Sequence, residues 1–301
     1  MTLQQLRYLI AISETNSIRK AAEALFISQP SLSVAIQQLE EELGIKILNR
    51  SSRGVSLTQE GEELVGYAHQ LLDQANAVVE KFSGEKGRNA RFSVSCQHYS
   101  FAVEAFVDVV REFGGDSYDF TLRETQTYEI IEDVSRLTSE IGIIYLSPEN
   151  ETALTRLFRH EGLEFHEIIT ARPHAFISCC HPLAEKEELT LEELDAYPFL
   201  SFEQGSHNSQ YFSEELLSAL DCSKNIKVRD RGTLFDMVIG LDGFTVSSGI
   251  ISQHLNSDDI VARPIRMEGI MRIGYIIRKG SALSQYAQRY IERIKVHTCQ
   301  A

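Results

Sequence analysis

Amide and hydroxyl side chains gather on one face of a short helix predicted to begin near residue 29. The face and its first turn comprise Gln29, Pro30, Ser31, Ser33, Val34 and Gln37. Long charged side chains, which are usual on a solvated helix, are scarce there. Amides and hydroxyls can hydrogen bond to base edges, and a glutamine can pair with both edge groups of an adenine. The face therefore predicts a helix that enters the major groove of duplex DNA.

Two helices joined by a tight turn would position this face. Ser28 stands where a helix N-cap belongs, and Pro30 falls in the first turn, where a missing N–H costs nothing. An apolar stripe at spacings of 4, 3 and 4 follows, formed by Leu32, Ile36, Leu39 and Leu43. Residues 21–25 form the preceding helix and residues 26–28 the turn. Periodicity alone fits a helix-turn-helix or an ordinary helical hairpin.

Residues 46–57 alternate apolar and polar side chains around a turn at 51–54, which predicts a short β-hairpin. Arg50 and Arg53 are the charged residues near its tip. They suit contacts with phosphates or with a narrow minor groove, although two solvated surface arginines are the simpler alternative.

A long helix is predicted over 58–82, with acidic residues in its first turns as the helix dipole favours. It carries a heptad seam of Leu64, Ala68, Leu71, Ala75, Val78 and Phe82. At 1.5 Å per residue it would be about 37 Å long. The seam could pack on its own domain, but its regularity favours a partner helix in a dimer. Residues 83–91 then read as a linker, with two glycines and four charges.

Beyond the linker, strands and helices alternate, which predicts an α/β body with mostly parallel sheets. The predicted strands are 92–96, 120–124, 141–145, 165–170, 175–179, 199–202, 226–228, 244–247, 260–264 and 272–278. The predicted helices are 100–113, 127–137, 191–194, 209–220, 233–241 and 283–296.

The motif A-A-x-x-L-x-x-S-Q-P-S-L-S from Ala21, followed by Arg50, Arg53 and Leu57-Thr58-x-x-Gly61, resembles the DNA-binding domain of LysR-type transcriptional regulators. One position departs, since Ile47-Leu48 replaces the usual Leu-Phe. Residues 181–200 and 273–294 are similar to the effector domain of the same family. The resemblance thus covers essentially the whole chain.

The fold that this resemblance implies is α+β and multidomain. A winged helix-turn-helix at 1–58 is followed by a dimerisation helix and hinge at 59–90. A two-lobed α/β effector domain of the periplasmic-binding-protein type would occupy 91–301. Its lobe I would comprise 91–163 and 266–301, and its lobe II 164–265, with crossings near 162–165 and 261–265.

Ligands of open α/β sheets bind beyond the carboxyl ends of strands, against helix N-termini that favour anions. Polar turns follow four predicted strands here. The candidate effector-binding residues in them are Ser95, Cys96, Gln97, His98, Tyr99, Ser100, Thr125, Thr127, Ser201, His207 and Ser247. They would grip a small polar or carboxylate-bearing metabolite between the lobes. The alternative is that they are ordinary caps and turn formers.

No catalytic motif is recognisable: G-x-S-x-G, a P-loop and a G-x-G-x-x-G after a strand are all missing. The five cysteines show no paired spacing and are most simply free thiols, with a redox switch as an alternative. Cys179-Cys180-His181 suggests a metal site, but neighbours on a strand point to opposite faces and make poor co-ligands. We therefore expect no cofactor and no metal.

The net charge of −14 argues against nonspecific coating of nucleic acid. Residues 1–58 hold six basic and five acidic side chains, a net charge of +1, so the remaining residues carry −15. No apolar run is long enough to span a membrane, and the N-terminus lacks the features of a secretory signal, which favours a cytoplasmic location.

These observations predict a transcriptional regulator, not an enzyme. It would bind an interrupted palindromic operator as a homodimer or homotetramer and respond to a metabolite, and the resemblance also implies contact with RNA polymerase. The rival hypothesis is a solute-binding or enzymatic α/β body with a fused accessory helix-turn-helix. That hypothesis requires a catalytic pair or a cofactor loop, and the sequence offers neither.

Overall fold

The computed structural model describes residues 1–51, 54–83, 90–115, 117–207, 209–216, 222–252, 259–267 and 269–299. The chain forms two compact units. The first comprises Met1–Arg91 with Arg136–Thr138, and the second comprises Phe92–Ser135 with Ser139–Ala301. Within the described residues, no helix is both long and apolar enough to cross a membrane.

The first unit is a helix-turn-helix followed by a β-hairpin and a long helix. Its described elements are α1 (Leu3–Thr15), α2 (Ile18–Ala24), α3 (Gln29–Leu43), β1 (Leu48–Ser51), β2 (Gly54–Leu57) and α4 (Gln59–Ser83). The two strands are antiparallel, with Leu48 opposite Leu57. The helical hairpin, the β-hairpin and the long helix all appear where the sequence predicts them. The predicted linker at 83–91 falls largely outside the described ranges.

Local signals define the helix ends of this unit. Thr2 and Gln5 form a capping box at the start of α1, and Ser17 caps α2. The helices bury one apolar stripe each in a shared core that includes Leu9, Ile12, Ala21, Leu32, Ile36 and Leu39. The spacing of these residues, three or four apart, is what makes each helix present one face inward.

The second unit alternates strands and helices. Its described elements are β3 (Ala90–Cys96), α5 (Ser100–Phe113), β4 (Tyr118–Glu124), α6 (Thr127–Ser135), β5 (Ile141–Leu146), α7 (Glu151–His160), β6 (Leu163–Ala171), β7 (His174–Ser178), α8 (Leu191–Leu194), β8 (Phe199–Phe202), β9 (Asn225–Val228), α9 (Arg231–Gly240), β10 (Thr245–Ser247), β11 (Ile260–Pro264), β12 (Met271–Arg278) and α10 (Gln285–Thr298).

The strands of this unit form sheets that are mixed in direction. Lobe I has the five-stranded order β4-β3-β5-β12-β6, and lobe II has the orders β10-β7-β11 and β8-β9. Strands β3 and β5 are parallel, as are β8 and β9. However, β12 runs antiparallel to both β5 and β6, and β7 runs antiparallel to both β10 and β11. The prediction of mostly parallel sheets is therefore wrong, because late strands return antiparallel to earlier ones.

The boundary between the lobes also differs from the prediction. Strand β6 pairs with β12 from Leu163 to Ala171, so this whole stretch belongs to the sheet of lobe I. The first crossing therefore lies at 171–174, and not near 162–165. On the return, β11 pairs with β7 as far as Pro264, so the second crossing lies beyond that residue. A strand that continues its ladder keeps its backbone hydrogen bonds, which places the crossing at the end of the ladder.

Two helices depart from the prediction. Helix α7 was not predicted, although it has a buried face that includes Leu154 and Phe158. The helix predicted over 209–220 is absent from the described part of that range. A short 3-10 turn covers Gln210–Phe212, and Ser213 then takes an extended conformation with ψ of 147°. The side chains just after it bond to other segments, and these tertiary bonds override helix propensity.

Candidate nucleic-acid interface and effector cleft

Helix α3 begins at a side-chain cap. The Ser28 hydroxyl accepts a hydrogen bond from the backbone N–H of Ser31 at 3.2 Å. Pro30 lies in the first turn, and Gly44 ends the helix with a left-handed φ of 68°. Local residues therefore determine both ends of the helix, and the buried stripe of Leu32, Ile36 and Leu39 determines which face α3 presents to solvent.

The predicted groove-facing residues are accessible. Gln29, Pro30, Ser31, Val34 and Gln37 are exposed, and Ser33 is half-buried. The Gln37 amide donates to the carboxylate of Glu41 at 3.0 Å, one turn later on the same helix. The exposed face thus offers amides, hydroxyls and one apolar side chain.

A buried carboxylate joins the recognition helix to the hairpin. Glu40 is buried, and its Oε1 accepts the backbone N–H groups of Ile47 at 2.8 Å and Leu48 at 3.2 Å. Burial alone would raise the pKa of Glu40, but these bonds and the Lys46 ammonium lower it below its ordinary value. The first strand of the hairpin is therefore anchored to the last turns of α3.

The Leu57-Thr58-x-x-Gly61 motif fastens the other strand. The Thr58 hydroxyl donates to the Lys46 carbonyl and accepts the N–H of Gly61 at 2.9 Å, so it caps α4. A Cβ at Gly61 would lie 2.3 Å from the carbonyl oxygen of Ile47. Only glycine allows this approach of helix and hairpin.

The two wing arginines remain predictions. The backbone of Arg50 pairs with Val55 in the hairpin, but its side chain is outside the described part of the structure. Arg53 lies outside the described residues altogether.

One exposed aromatic residue was missed as a candidate. Phe26, in the turn between α2 and α3, is 97% exposed and has a left-handed φ of 56°. A bulky side chain is rare in that conformation, and a fully exposed one adjoining a predicted groove face is a candidate DNA contact. The sequence assigned it only to the turn, since no pattern reports exposure at a single turn residue.

The seam of α4 divides into two parts. Ala68 and Leu72 are buried against Leu6 and Ile10 of α1, so the first part packs within its own unit. Leu71 is nevertheless 39% exposed, and further along the helix Val78 is 60% and Val79 62% exposed. The side chain of Phe82 lies outside the described side chains. Ala68 therefore packs within its own unit, and a partner helix for the exposed side chains stays a prediction.

In the second unit, two predicted cleft residues have interior roles. The Ser95 hydroxyl bonds to Asp133 at 2.6 Å and lies 2.8 Å from the Ser139 hydroxyl, all within lobe I. Cys96 is completely buried in the lobe I core, and burial raises the pKa of its thiol well above the ordinary value. We therefore remove Ser95 and Cys96 from the candidate set.

Gln97 and Tyr99 are buried and hold the strand ends in place. The Gln97 amide donates to the Thr127 hydroxyl at 2.7 Å, and its oxygen accepts the N–H of Tyr145 at 3.0 Å. The Tyr99 hydroxyl reaches the same amide oxygen at 3.3 Å. Gln97 thus links the turns after β3 and β4, two of the predicted ligand turns.

Lobe II side chains reach these turns. Oε2 of Glu214 lies 2.8 Å from Nδ1 of His98 and accepts the backbone N–H of His98 at 3.1 Å. The Gln204 amide oxygen accepts the backbone N–H of Thr127 at 3.1 Å. A third bridge joins the Ser100 hydroxyl to the N–H of Ser252 at 3.2 Å.

Two ring stacks lie beside the same bridges. His98 stacks on Phe202 with ring centroids 3.8 Å apart and planes 9° apart. His207 stacks on Tyr128 at 3.6 Å and 10°. His98 and His207, both predicted from the sequence, therefore face partners from the opposite lobe.

The remaining candidates have less direct positions. The Thr125 hydroxyl donates to the carboxylate of Glu129 in the first turn of α6, which is a local side-chain contact within lobe I. Ser201 is buried and Ser247 is half-buried, each at the carboxyl-terminal end of a lobe II strand.

Charge is concentrated in this cleft. Burial disfavours the His98 imidazolium, yet the carboxylates of Glu214 and Glu124 outweigh it, so the pKa of His98 is raised. Burial first, and the neighbouring Glu214 second, raise the pKa of Glu215 to about 8. Glu124 lies 3.5 Å from the guanidinium of Arg231 in lobe II, and burial raises its pKa. The cleft therefore contains several side chains that favour their protonated forms, together with charged groups that a polar ligand could contact.

The cysteines and metal-ligand candidates can be placed as well. Cys96 is buried, Cys222 is half-buried, and Cys179, Cys180 and Cys299 are exposed; the sulfurs of Cys179 and Cys180 are 3.8 Å apart. Among the described residues, no cluster of three His, Cys, Asp or Glu side chains is arranged to hold a metal ion.

Comparison with known proteins identifies the class. Residues 3–62 match the bacterial regulatory helix-turn-helix family of the lysR type, and residues 86–298 match the LysR substrate binding domain. The chain belongs to the LysR family of DNA-binding transcriptional regulators, each with an effector-binding domain. This is a regulatory family and not a family of enzymes.

Two individual relatives and one solved structure are consistent with this family. The chain is 31% identical over 206 residues to the HTH-type transcriptional regulator YnfL of Escherichia coli, covering 67% of this chain and 65% of that protein. It is 30% identical over 256 residues to the HTH-type transcriptional regulator AlsR of Bacillus subtilis, covering 83% and 78%. The structure of a full-length OxyR variant from Pseudomonas aeruginosa has the same fold, with a TM-score of 0.62, 22% identity and 98% of each chain covered.

Proposed function

We propose that this regulator binds an interrupted palindromic operator through the exposed face of α3 in each of two symmetric copies. The observation that carries the proposal is the exposed series of amide and hydroxyl side chains from Gln29 to Gln37, on a helix capped at both ends. Such a face can read base edges in a major groove. Arg50 and Arg53 would contact phosphates or the minor groove.

The second copy would dock along α4. Leu71, Val78 and Val79 are its exposed apolar side chains, whereas the neighbouring Ala68 and Leu72 are buried within its own unit. Apolar side chains exposed together on a long helix favour burial against a partner. A two-fold dimer would present its α3 helices to half-sites one or more helical turns apart, about 34 Å per turn. Association into a tetramer would extend the same arrangement.

A small polar or carboxylate-bearing metabolite would bind between the lobes and change operator affinity. Support comes from the side chains and backbone groups that meet there, mainly His98, Ser100 and Thr127 of lobe I with His207 of lobe II. Thr125, Ser201 and Ser247 complete the proposed lining. A cytoplasmic location and a contact with RNA polymerase belong to the same proposal.

The DNA part is tested by fluorescence anisotropy with the promoter fragment upstream of the regulator's own gene. We expect binding that weakens steeply with salt and is much stronger than binding to a scrambled fragment. Gln37→Ala should cost about 1–3 kcal/mol of operator binding if its amide reads a base. Gln288→Ala is the matched control, since Gln288 is also an exposed helical glutamine but lies on α10 in the second unit. Equal affinity for scrambled DNA would refute the proposal.

The ligand part is tested by native mass spectrometry of freshly purified protein. We expect a co-purified small molecule that is lost on dialysis and whose return changes the operator affinity. A molecule that is chemically converted by the protein would instead support the rival hypothesis of an enzyme.

A further inference from the structure

Glu214 occupies a place in the cleft that a bound anion would take. Its Oε2 accepts the backbone N–H of His98, in the turn that leads from β3 into α5, and lies against the imidazole of the same residue. Its Oε1 accepts the side-chain amide of Gln204 at 3.1 Å. Both side chains of the His98–Glu214 pair are only 5% exposed. The carboxylate is thus fully engaged and shielded from water.

Such an arrangement is costly if it serves stability alone. Removing a carboxylate from water requires an excellent partner, and a well-packed apolar side chain often stabilises a fold as well or better. The cost is higher here because the next residue, Glu215, is a second buried acid, held by the N–H of Phe202 at 2.8 Å and the hydroxyl of Ser213 at 3.1 Å. The contacts of Glu214 with His98 and Gln204 therefore explain its presence in the cleft better than stability does.

A second bridge follows the same pattern. The amide oxygen of Gln204 takes the N–H of Thr127, at the start of α6, and its amide nitrogen holds Glu214. Side-chain oxygens of one lobe II segment therefore take a backbone N–H in each of two lobe I turns. These are the groups that an effector with a carboxylate and a second oxygen would need.

We infer that Glu214 is a resident carboxylate ligand of the cleft, which closes the lobes in the absence of effector and which an effector carboxylate must displace. This inference rests on the proposed metabolite binding, and it adds how the site is regulated. When the incoming carboxylate takes the His98 N–H and imidazole, Glu214 is released. Its bond to Gln204 is then lost, which weakens the bridge to Thr127.

The test measures amide hydrogen exchange of peptides covering residues 97–100 by mass spectrometry, with acetate as the probe anion. In the unmodified protein the His98 amide should be protected, and acetate should add little. Glu214→Ala should speed its exchange about 10- to 100-fold, since a bond to a buried charge is lost. Added acetate should then restore protection in a saturable way.

Two further variants complete the design. Glu214→Gln keeps an oxygen acceptor without the charge, so it should show intermediate exchange and partial competition by acetate. Glu214→Gln also provides the test of the inference if Glu214→Ala does not fold. Glu188→Ala is the matched control, because it removes an equal charge from a surface ion pair with Arg266; its peptide 97–100 should behave as in the unmodified protein.

The inference would be overturned by unchanged exchange at His98 in both Glu214 variants, or by faster exchange that acetate does not reverse. It would also be overturned if acetate protected the unmodified protein as much as it protects Glu214→Ala. Protection by methylammonium instead of acetate would also overturn it, since that result would make Glu214 a partner for cationic effectors. The exchange assay contains no DNA and no natural effector, so a failure of operator binding in the anisotropy assay is a separate result.

Discussion

Replacing Glu215 by glutamine is expected to change how the stability of the protein depends on pH. The Glu215 side chain is buried, accepts the N–H of Phe202 through Oε1 and lies 3.1 Å from the Ser213 hydroxyl through Oε2. A protonated carboxyl group satisfies both partners, because its O–H can donate to the serine oxygen. Glutamine reproduces that neutral form, with the amide oxygen facing Phe202 and the amide nitrogen facing Ser213.

The sign follows from the difference in proton binding. The pKa of Glu215 is about 8 in the folded protein, raised by burial and then by Glu214, against 4.5 for the ordinary group. Between these values the folded protein holds a proton that the unfolded chain releases, so stability falls as pH rises. At about 1.4 kcal/mol per pKa unit, the total loss approaches about 5 kcal/mol above pH 8. About 2 kcal/mol of it falls between about pH 6 and pH 8.

His98 acts in the same direction. Its pKa is raised in the folded protein, because nearby carboxylates outweigh the effect of burial. The stability it contributes is fully present below its unfolded pKa and is lost as pH rises through the folded value. The Glu215→Gln variant should therefore lose the part of the pH dependence that belongs to Glu215 and keep the larger share of the His98 part, which Glu214 and Glu124 cause.

The assay is urea unfolding of the unmodified protein and the variant at a series of pH values from about 6 to about 9. The free energy of unfolding of Glu215→Gln, minus that of the unmodified protein, should grow by about 2 kcal/mol from about pH 6 to pH 8. Glu188→Gln, at an exposed ion pair with Arg266, should show no such trend. A difference for Glu215→Gln that stays constant across this range would refute the reasoning.

Three further predictions concern the first unit. Leu71→Asp should break the proposed α4 interface by setting two carboxylates together in an apolar contact, whereas Gln74→Asp, exposed on the same helix, should not; sedimentation velocity checks the mass, and an unchanged oligomer would count against the interface. Phe26→Gly should raise the free energy of unfolding by up to about 1 kcal/mol, because glycine accepts a left-handed φ, and it should weaken operator binding. Thermal unfolding measures the first effect and fluorescence anisotropy the second, and unchanged operator affinity would exclude Phe26 as a DNA contact. Glu40→Ala should cost about 2 kcal/mol of unfolding free energy, because two buried N–H groups lose their acceptor, and Glu40→Gln should cost less; equal stability of all three proteins in urea would contradict this.

The helix-turn-helix could be predicted closely because its determinants are local. Ser28 bonds to an N–H three residues away, and Gly44 ends the helix by its own backbone conformation. The apolar stripe between them repeats with the helix period. Each of these signals can be recognised from a few neighbouring residues, and the structure needs no distant contact to satisfy them.

The strand order in the sheet of lobe I could not be predicted from such local signals. Strand β12 was predicted as a strand, but nothing in its own residues says that it inserts between β5 and β6 in antiparallel orientation. Alternating or continuous apolar residues specify that a strand is buried, and its partners are chosen by the rest of the fold. The lobe boundary was misplaced for the same reason, since it depends on how far β6 follows β12.

The cleft adds a second kind of failure, which follows from the chemistry of buried acids. The sequence placed His98 and Thr127 at strand ends, but their partners Glu214 and Gln204 lie 116 and 77 residues further along the chain. Residues 209–220 have the composition of an amphipathic helix, on which Glu214 would be one more solvated acid. In the structure, Glu215 and Glu214 instead accept the backbone N–H groups of Phe202 and His98. A helix over this segment would move both carboxylates away from those N–H groups. The helix propensity of this segment and its contacts in the cleft thus favour different conformations of the same residues. An anion that takes the His98 N–H and imidazole would release the Glu214 side chain, while Phe212 and Leu216 would still hold the segment against lobe I.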